Sequence, residues 1–277
     1  MREKWSFSVK KNHSLEKFLN DNGVKYKIVG DGVTVPLMLT FSVFRDSPVC
    51  SQIGKYTSAK PIITTEYSRS EINHASYLSF LPVKNSITVT NVEEAFQFSC
   101  KRKTLFGEDR YNHKKQIGPL QIKSIPKMDS TMFFSSSTGY SEIFGNSLFY
   151  DVAMNNHITG VIFLPVYCGK NGQQLDNMFQ LTAEHVLPTD CIIVNNPSDI
   201  KKCPICGMQK IVCSQSYQLF LRKHESELTQ DFYMTEAVFG EGFSYPLYII
   251  SSRLFLLIQE TRMNKNIKVE PVRFIDA

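Results

Sequence analysis

Leu247-Tyr248-Ile249-Ile250-Ser251-Ser252-Arg253-Leu254-Phe255-Leu256-Leu257-Ile258 is the stretch whose reading decides the fold class of this chain. Four apolar residues in a row suit a buried strand, and a serine pair is a helix-capping signal. Leu254, Phe255, Leu257 and Ile258 then recur at helical spacing. The helix is expected to end at Met263-Asn264-Lys265-Asn266. Ile267-Lys268-Val269-Glu270-Pro271-Val272-Arg273-Phe274 reads as a second strand.

An earlier stretch repeats this grammar. Met132-Phe133-Phe134 is strand-like, a serine-rich turn follows, and Ser141-Glu142-Ile143-Phe144 is expected to open a helix through Leu148, Phe149 and Val152. That helix stops at Asn155-Asn156-His157, ahead of the strand Ile158 to Val166. Met154-Asn155-Asn156-His157-Ile158 parallels Met263-Asn264-Lys265-Asn266-Ile267, and both copies close on Pro-Val. The capping serine stands 24 residues before the proline in one copy (Ser141 to Pro165) and 19 in the other (Ser252 to Pro271). Two readings stay open: a pair of related strand–helix–strand units, or a chance match of common αβ grammar. Either way the expected class is α+β, with mixed, mainly antiparallel sheets and a few short helices.

The 277 residues suffice for one large domain or two small ones. The expected division is an N-terminal α+β half, 1–167, and a C-terminal half, 168–277, with no long Pro/Gly/Ser linker to stop them packing as one unit. Hydrophobic residues at 42% and charged residues at 21% exclude disordered, collagen-like and coiled-coil classes. Twenty Phe and twelve Tyr favour strands over a helical bundle. In the first half, Ser14 is expected to cap a helix through Leu15, Phe18 and Leu19, ending at Asn22-Gly23, with a turn at Gly30-Asp31-Gly32. Pro61 to Thr65 and Ser86 to Thr90 read as strands, and Asn91 as the cap of a segment from Val92 to Phe98. Between the two repeated units, Lys170 to Asp176 reads as a polar connection.

No apolar segment follows the charged start Met1-Arg2-Glu3-Lys4, and no run nears the roughly 18 apolar residues that span a bilayer. The expectation is a cytoplasmic protein that does not enter a membrane. Seven cysteines, an odd number at irregular spacing, argue against a disulfide scaffold.

The net charge of +5 is concentrated: Lys101 to Lys127 holds eight basic residues against Glu108 and Asp109. Lys101, Arg102, Lys103, Arg110, Lys114 and Lys115 are therefore candidate partner-binding residues for an acidic face or nucleic acid. A solvated loop or hairpin is the plainer reading of the same residues.

Lys201-Lys202-Cys203-Pro204-Ile205-Cys206-Gly207 is the most distinctive motif. Cys-x-x-Cys-Gly places two thiols on one tight turn, which is how a zinc knuckle supplies half of a tetrahedral site. Cys203 and Cys206 are the candidate metal ligands and zinc the candidate ion. The second pair is missing, and Cys168, Cys191, Cys213, His185 and His224 are the residues left to complete a site. A relic knuckle without metal and a redox pair are the other two readings. The flanks fit a turn between two strands. His13, His74, His113, His157 and His224 are scattered and read as surface or capping residues rather than catalysts. Glu184-His185 with Cys191 is a nucleophile–base pair on paper only. There is no Gly-x-Ser-x-Gly, no phosphate loop and no His-Glu-x-x-His.

The order of Cys-x-x-Cys-Gly, the strand Gln218 to Leu221, Asp231-Phe232-Tyr233, Gly242, an aliphatic strand into Ser-Ser-Arg-Leu, a helix and Ile-x-Val-x-Pro-Val-x-Phe resembles one family group. These are the bacterial double-CXXCG-motif proteins and the related immunity proteins of polymorphic toxin systems. The likeness covers about 137–167 and 200–275. It implies an α+β cytoplasmic protein without catalysis that binds and neutralises a cognate toxin. The place of the first motif holds only Leu164-Pro165-Val166-Tyr167-Cys168-Gly169, with a single cysteine. The alternative function is a zinc-knuckle nucleic-acid-binding protein, against which the basic segment stands about 90 residues from the knuckle. A cysteine-dependent enzyme is a third, for which no spacing calls.

Overall fold

The computed structural model describes residues 1–83, 86–103, 109–128, 131–136, 142–193, 200–212, 219–222, 225–240, 245–262 and 266–275, with backbone alone at 86, 100–103, 109–112 and 225. The fold is α+β with mostly antiparallel sheets, and its chain divides into two compact units at Glu71/Ile72.

The first unit holds β1 (Arg2–Lys10), α1 (His13–Asp21), β2 (Tyr26–Val29), β3 (Met38–Phe44), α2 (Pro48–Ile53) and β4 (Ile62–Glu66). α3 (Arg69–Asn73) leads out of it. Its four strands form one sheet in the order β2-β3-β1-β4, all pairs antiparallel. Alternation in β1 and β3 sends Phe7, Val9, Leu39, Phe41 and Val43 into a core with Leu15, Phe18 and Leu19 of α1. Asn12, not Ser14, caps α1, its Oδ1 accepting from Leu15 N at 2.7 Å. The chain turns tightly where expected: Asp31 Oδ1 accepts from Val33 N, Thr34 N and Val35 N. Those bonds, led by that of the Thr34 hydroxyl, hold the Asp31 carboxyl well below the usual carboxylate range.

The second unit begins with β5 (Tyr77–Pro82), β6 (Ser86–Ile87), α4 (Val92–Ala95), β7 (Phe96–Lys103), β8 (Asp109–Gln116) and β9 (Leu120–Ile122). It continues with β10 (Phe133–Ser136), β11 (Ile143–Asn146), α5 (Ser147–Asn155), β12 (Val161–Cys168), β13 (Gln173–Ala183), β14 (Val186–Leu187) and β15 (Ile192–Ile193). Then come β16 (Ile200–Lys202), β17 (Gln209–Ile211), β18 (Phe220–Leu221), β19 (Phe232–Phe239), β20 (Tyr245–Ser251), α6 (Ser252–Glu260), β21 (Ile267–Pro271) and β22 (Arg273–Phe274).

The two large sheets run β6-β10-β11-β13-β12-β9 and β16-β17-β19-β20-β5-β21, with β14 beside β19. Within them β10-β11-β13-β12 and β19-β20-β5-β21 have the same arrangement. In each, a hairpin strand leads through a helix to a second strand, and both flank a central strand antiparallel to them. The two sets differ in connectivity, since the central strand β13 follows its partners in sequence and β5 precedes its own. The expected helix at Ser141 is corrected: Ile143 to Phe144 belong to β11, and Ser141 lies outside the described residues. Asn146 is the true cap, its Oδ1 accepting from Phe149 N at 3.1 Å. Measured from the true caps, the distance to the proline is 19 residues (Asn146 to Pro165) against 20 (Ser251 to Pro271). Asn91 does not cap α4 through its side chain, and the expected helix to Phe98 gives way to β7 at Phe96.

One core joins both repeats. Phe133, Ile143, Phe149 and Leu181 of the first meet Phe80, Phe232, Tyr248 and Leu254 of the second. Phe80 and Phe133 pack edge-to-face at 4.8 Å. Phe134, Phe144 and Met178 face the opposite side, into a second core with Phe96, Leu120 and Val166. The six-stranded sheet is therefore covered on both faces. That explains the uninterrupted apolar run Met132-Phe133-Phe134, where a half-exposed strand would alternate. No helix among the described residues is long and apolar enough to cross a membrane.

Candidate functional site

β16 and β17 pair antiparallel, with Lys202 opposite Gln209, so the CxxCG segment is a turn between two strands. Cys203 N donates to Met208 O and Gly207 N to Cys203 O, both at 2.9 Å. Gly207 takes φ 75°, a left-handed conformation that glycine adopts without a Cβ clash. The turn leaves both cysteines half-buried and Ile205 between them 60% exposed. Ile200 and Met208 of the same hairpin are also exposed.

The basic segment is the hairpin β7–β8, a two-stranded ribbon outside the larger sheets. An isolated ribbon is marginal in water, and this one is held at its base. Phe96 is buried in the second core. Gln116 and Gln180 exchange two side-chain hydrogen bonds, each Nε2 donating to the other's Oε1, at 2.9 and 2.6 Å. Lys114 Nζ lies 2.6 Å from Glu142 Oε1 and 4.1 Å from the Phe96 ring centroid. Glu142, buried, also accepts from Ser136 Oγ at 2.5 Å. Lys114 is thereby committed to an internal ion pair, while Lys115 is exposed. Lys101, Arg102 and Lys103 stand on β7 and Arg110 on β8. Arg102 and Arg110 are cross-strand partners.

The register of the ribbon shifts on both sides of His113: Phe98 pairs with Lys114, Cys100 with His113 and Lys101 with Tyr111, so Ser99 is extra on β7 and Asn112 on β8. Ser99 Oγ donates to His113 O at 3.2 Å. His113 is 3% exposed, and its Nδ1 lies 2.9 Å from Cys206 Sγ. A ring nitrogen of His113 and the sulfurs of Cys203 and Cys206 all lie within 4.8 Å of one another. Burial, then the nearby Lys210 charge, pushes the His113 pKa down, which keeps the imidazole neutral and able to offer a lone pair.

His113 therefore corrects the expectation that it is a surface or capping residue. The other residues considered as companions of Cys203 and Cys206 lie elsewhere. Cys168 packs against the second core, and Cys213 and His224 lie outside the described residues. Cys191 is buried with its thiol donating to Pro188 O at 2.9 Å. His185 is exposed beside the Tyr233 ring.

Beneath the ribbon lies a cavity of about 710 Å³, lined among others by His113, Lys114, Glu142, Glu236, Met208 and Tyr248. Burial and the Glu142 charge raise the Tyr248 hydroxyl above its ordinary pKa, so it stays protonated. Glu236 accepts from Thr189 N and Oγ1 at 2.9 and 3.0 Å. Glu142 and Glu236 are thus both engaged by neighbouring side chains or backbone.

The chain matches no family model, no curated protein and no solved structure.

Proposed function

We propose that the protein is a non-catalytic binding protein of the cytoplasm that neutralises a cognate bacterial toxin by protein–protein contact. The observation that carries this reading is the basic ribbon, fixed at its base and adjoining the hairpin on which Ile200, Ile205 and Met208 are exposed. Basic residues beside exposed apolar anchors suit a specific protein interface, in which the charges steer encounter and the anchors supply affinity. The resemblance of the Cys-x-x-Cys-Gly and Ser-Ser-Arg-Leu segments to immunity proteins supports a toxin as the partner.

The test is capture of the tagged chain's partner at high salt, followed by association kinetics. Lys101, Arg102, Lys103, Arg110 and Lys115 are changed together to Glu, leaving Lys114 in its buried pair. The expected result is one stoichiometric protein partner, an association rate reduced by about tenfold or more at low salt, and loss of toxin inhibition. Unchanged inhibition by the charge-reversed protein overturns the assignment.

A second reading, a nucleic-acid-binding protein, gains from one observation. His113 brings the basic ribbon to the CxxCG turn across 93 residues of sequence, which removes the objection that the two lie far apart. That reading expects binding to DNA or RNA that weakens steeply with salt.

A further inference from the structure

We propose that His113, Cys203 and Cys206 hold one Zn²⁺ ion, and that this ion clamps the basic ribbon to the CxxCG hairpin. The argument begins with the donors. Two thiols and one imidazole are a soft-to-borderline set that selects zinc over calcium or magnesium. Their placement is specific. The Gly207 turn gathers the two cysteines, while β8, whose register shifts on both sides of His113, brings in that buried histidine.

The distances fit. With Zn–S about 2.3 Å and Zn–N about 2.0 Å, a tetrahedral shell sets its S and N atoms about 3.6 Å apart. The three donor atoms here lie within 4.8 Å of one another, the closest pair at 2.9 Å. Accommodating the ion thus changes donor separations by at most about 1.2 Å, shared between two side chains. On binding, each thiol gives up its proton to solvent and forms a Zn–S bond. His113 stays neutral and donates one ring lone pair. The His113–Cys206 hydrogen bond is replaced by two bonds to the metal. These three donors leave the fourth position of a tetrahedral site to water or an added donor.

The test uses the full chain, reduced, stripped with a chelator, and titrated with Zn²⁺ and then Co²⁺; it needs no toxin and so stands apart from the proposed function. One metal per chain is expected, with the visible bands of tetrahedral Co²⁺ and thiolate-to-cobalt charge transfer. Cys203→Ser and Cys206→Ser should lose the site. His113→Ala should weaken it by more than the roughly 10–100-fold that loss of an outer-shell partner costs. Cys191→Ser should leave it unchanged. His113→Cys keeps a ligand at that position, so it guards against variants that merely misfold. It should retain the metal and raise the charge-transfer intensity by about half, from two thiolates to three. Metal removal should also speed amide exchange at the His113 end of the ribbon. A reduced wild-type chain without stoichiometric metal overturns the proposal, as does a His113→Ala variant with unchanged affinity. Ribbon exchange indifferent to the metal overturns the clamp.

Discussion

Asp231 ties together the two similarly arranged strand–helix–strand segments of the second unit. It is buried, and its carboxylate accepts from Thr159 N at 3.1 Å, Ser251 Oγ at 2.6 Å and Arg253 Nη1 at 3.1 Å. Thr159 lies between α5 and β12, whereas Ser251 caps α6. Asp231→Ala leaves a backbone N–H and a hydroxyl without their acceptor and should cost about 2–4 kcal/mol. Arg253 is 54% exposed and its charge is well hydrated, so Arg253→Ala should cost only about 0–1 kcal/mol. Urea denaturation of both variants checks the contrast, and equal losses would show that the ion pair, not the buried bonding, carries the effect. At this scale the sequence was informative about Cys203 and Cys206, because turn chemistry is local. His113 was not legible. Its partner is 93 residues away, and it sits between two register shifts, with Ser99 extra on β7 and Asn112 on β8, that a single sequence does not mark.

Among the elements, β20, α6 and β21 were readable, since an apolar strand, a serine cap and a helical stripe agree with one another. Their counterpart was read only in part. Ser141-Glu142 imitates a helix start, yet Ile143 and Phe144 pair with β10 on one side and β13 on the other, and burial on both faces decides for a strand. β13 was missed altogether. Its first residues are polar, and its register against β12 jumps between Pro165 opposite Phe179 and Tyr167 opposite Gln174. Leu175 and Met178 are both buried as a result, a spacing of three that hides the strand's alternation. Helix caps offer a sharper check on local reading. Asn12 accepts the bond from Leu15 N, whereas Ser14 is an exposed residue inside α1. Asn12→Ala should therefore cost about 1 kcal/mol and Ser14→Ala only a few tenths. Thermal midpoints measured side by side give the answer, and a larger loss at Ser14 would restore the serine as the cap.

At the scale of the whole molecule, the class α+β followed from strand-rich composition and from one strand–helix–strand motif, but the division into units did not. The boundary at Glu71/Ile72 runs through the short helix α3, with no Pro/Gly/Ser-rich segment to mark it. What separates the units is where apolar side chains go. Phe7, Leu15, Leu39 and their neighbours form a core wholly within the first unit. Phe80, Phe133, Leu254 and their neighbours form one wholly within the second. Cores that share no side chain can melt independently, because losing contacts in one removes none from the other. Leu39 and Leu254 are both fully buried, and truncation to Ala at either should cost about 2–5 kcal/mol of its own unit's stability. Calorimetry of the intact chain should then show two transitions, with Leu39→Ala lowering one and Leu254→Ala the other. Chelation should lower only the transition that Leu254→Ala lowers, since His113, Cys203 and Cys206 all belong to the second unit. A single transition shifted alike by both substitutions would instead mean that the two cores unfold as one.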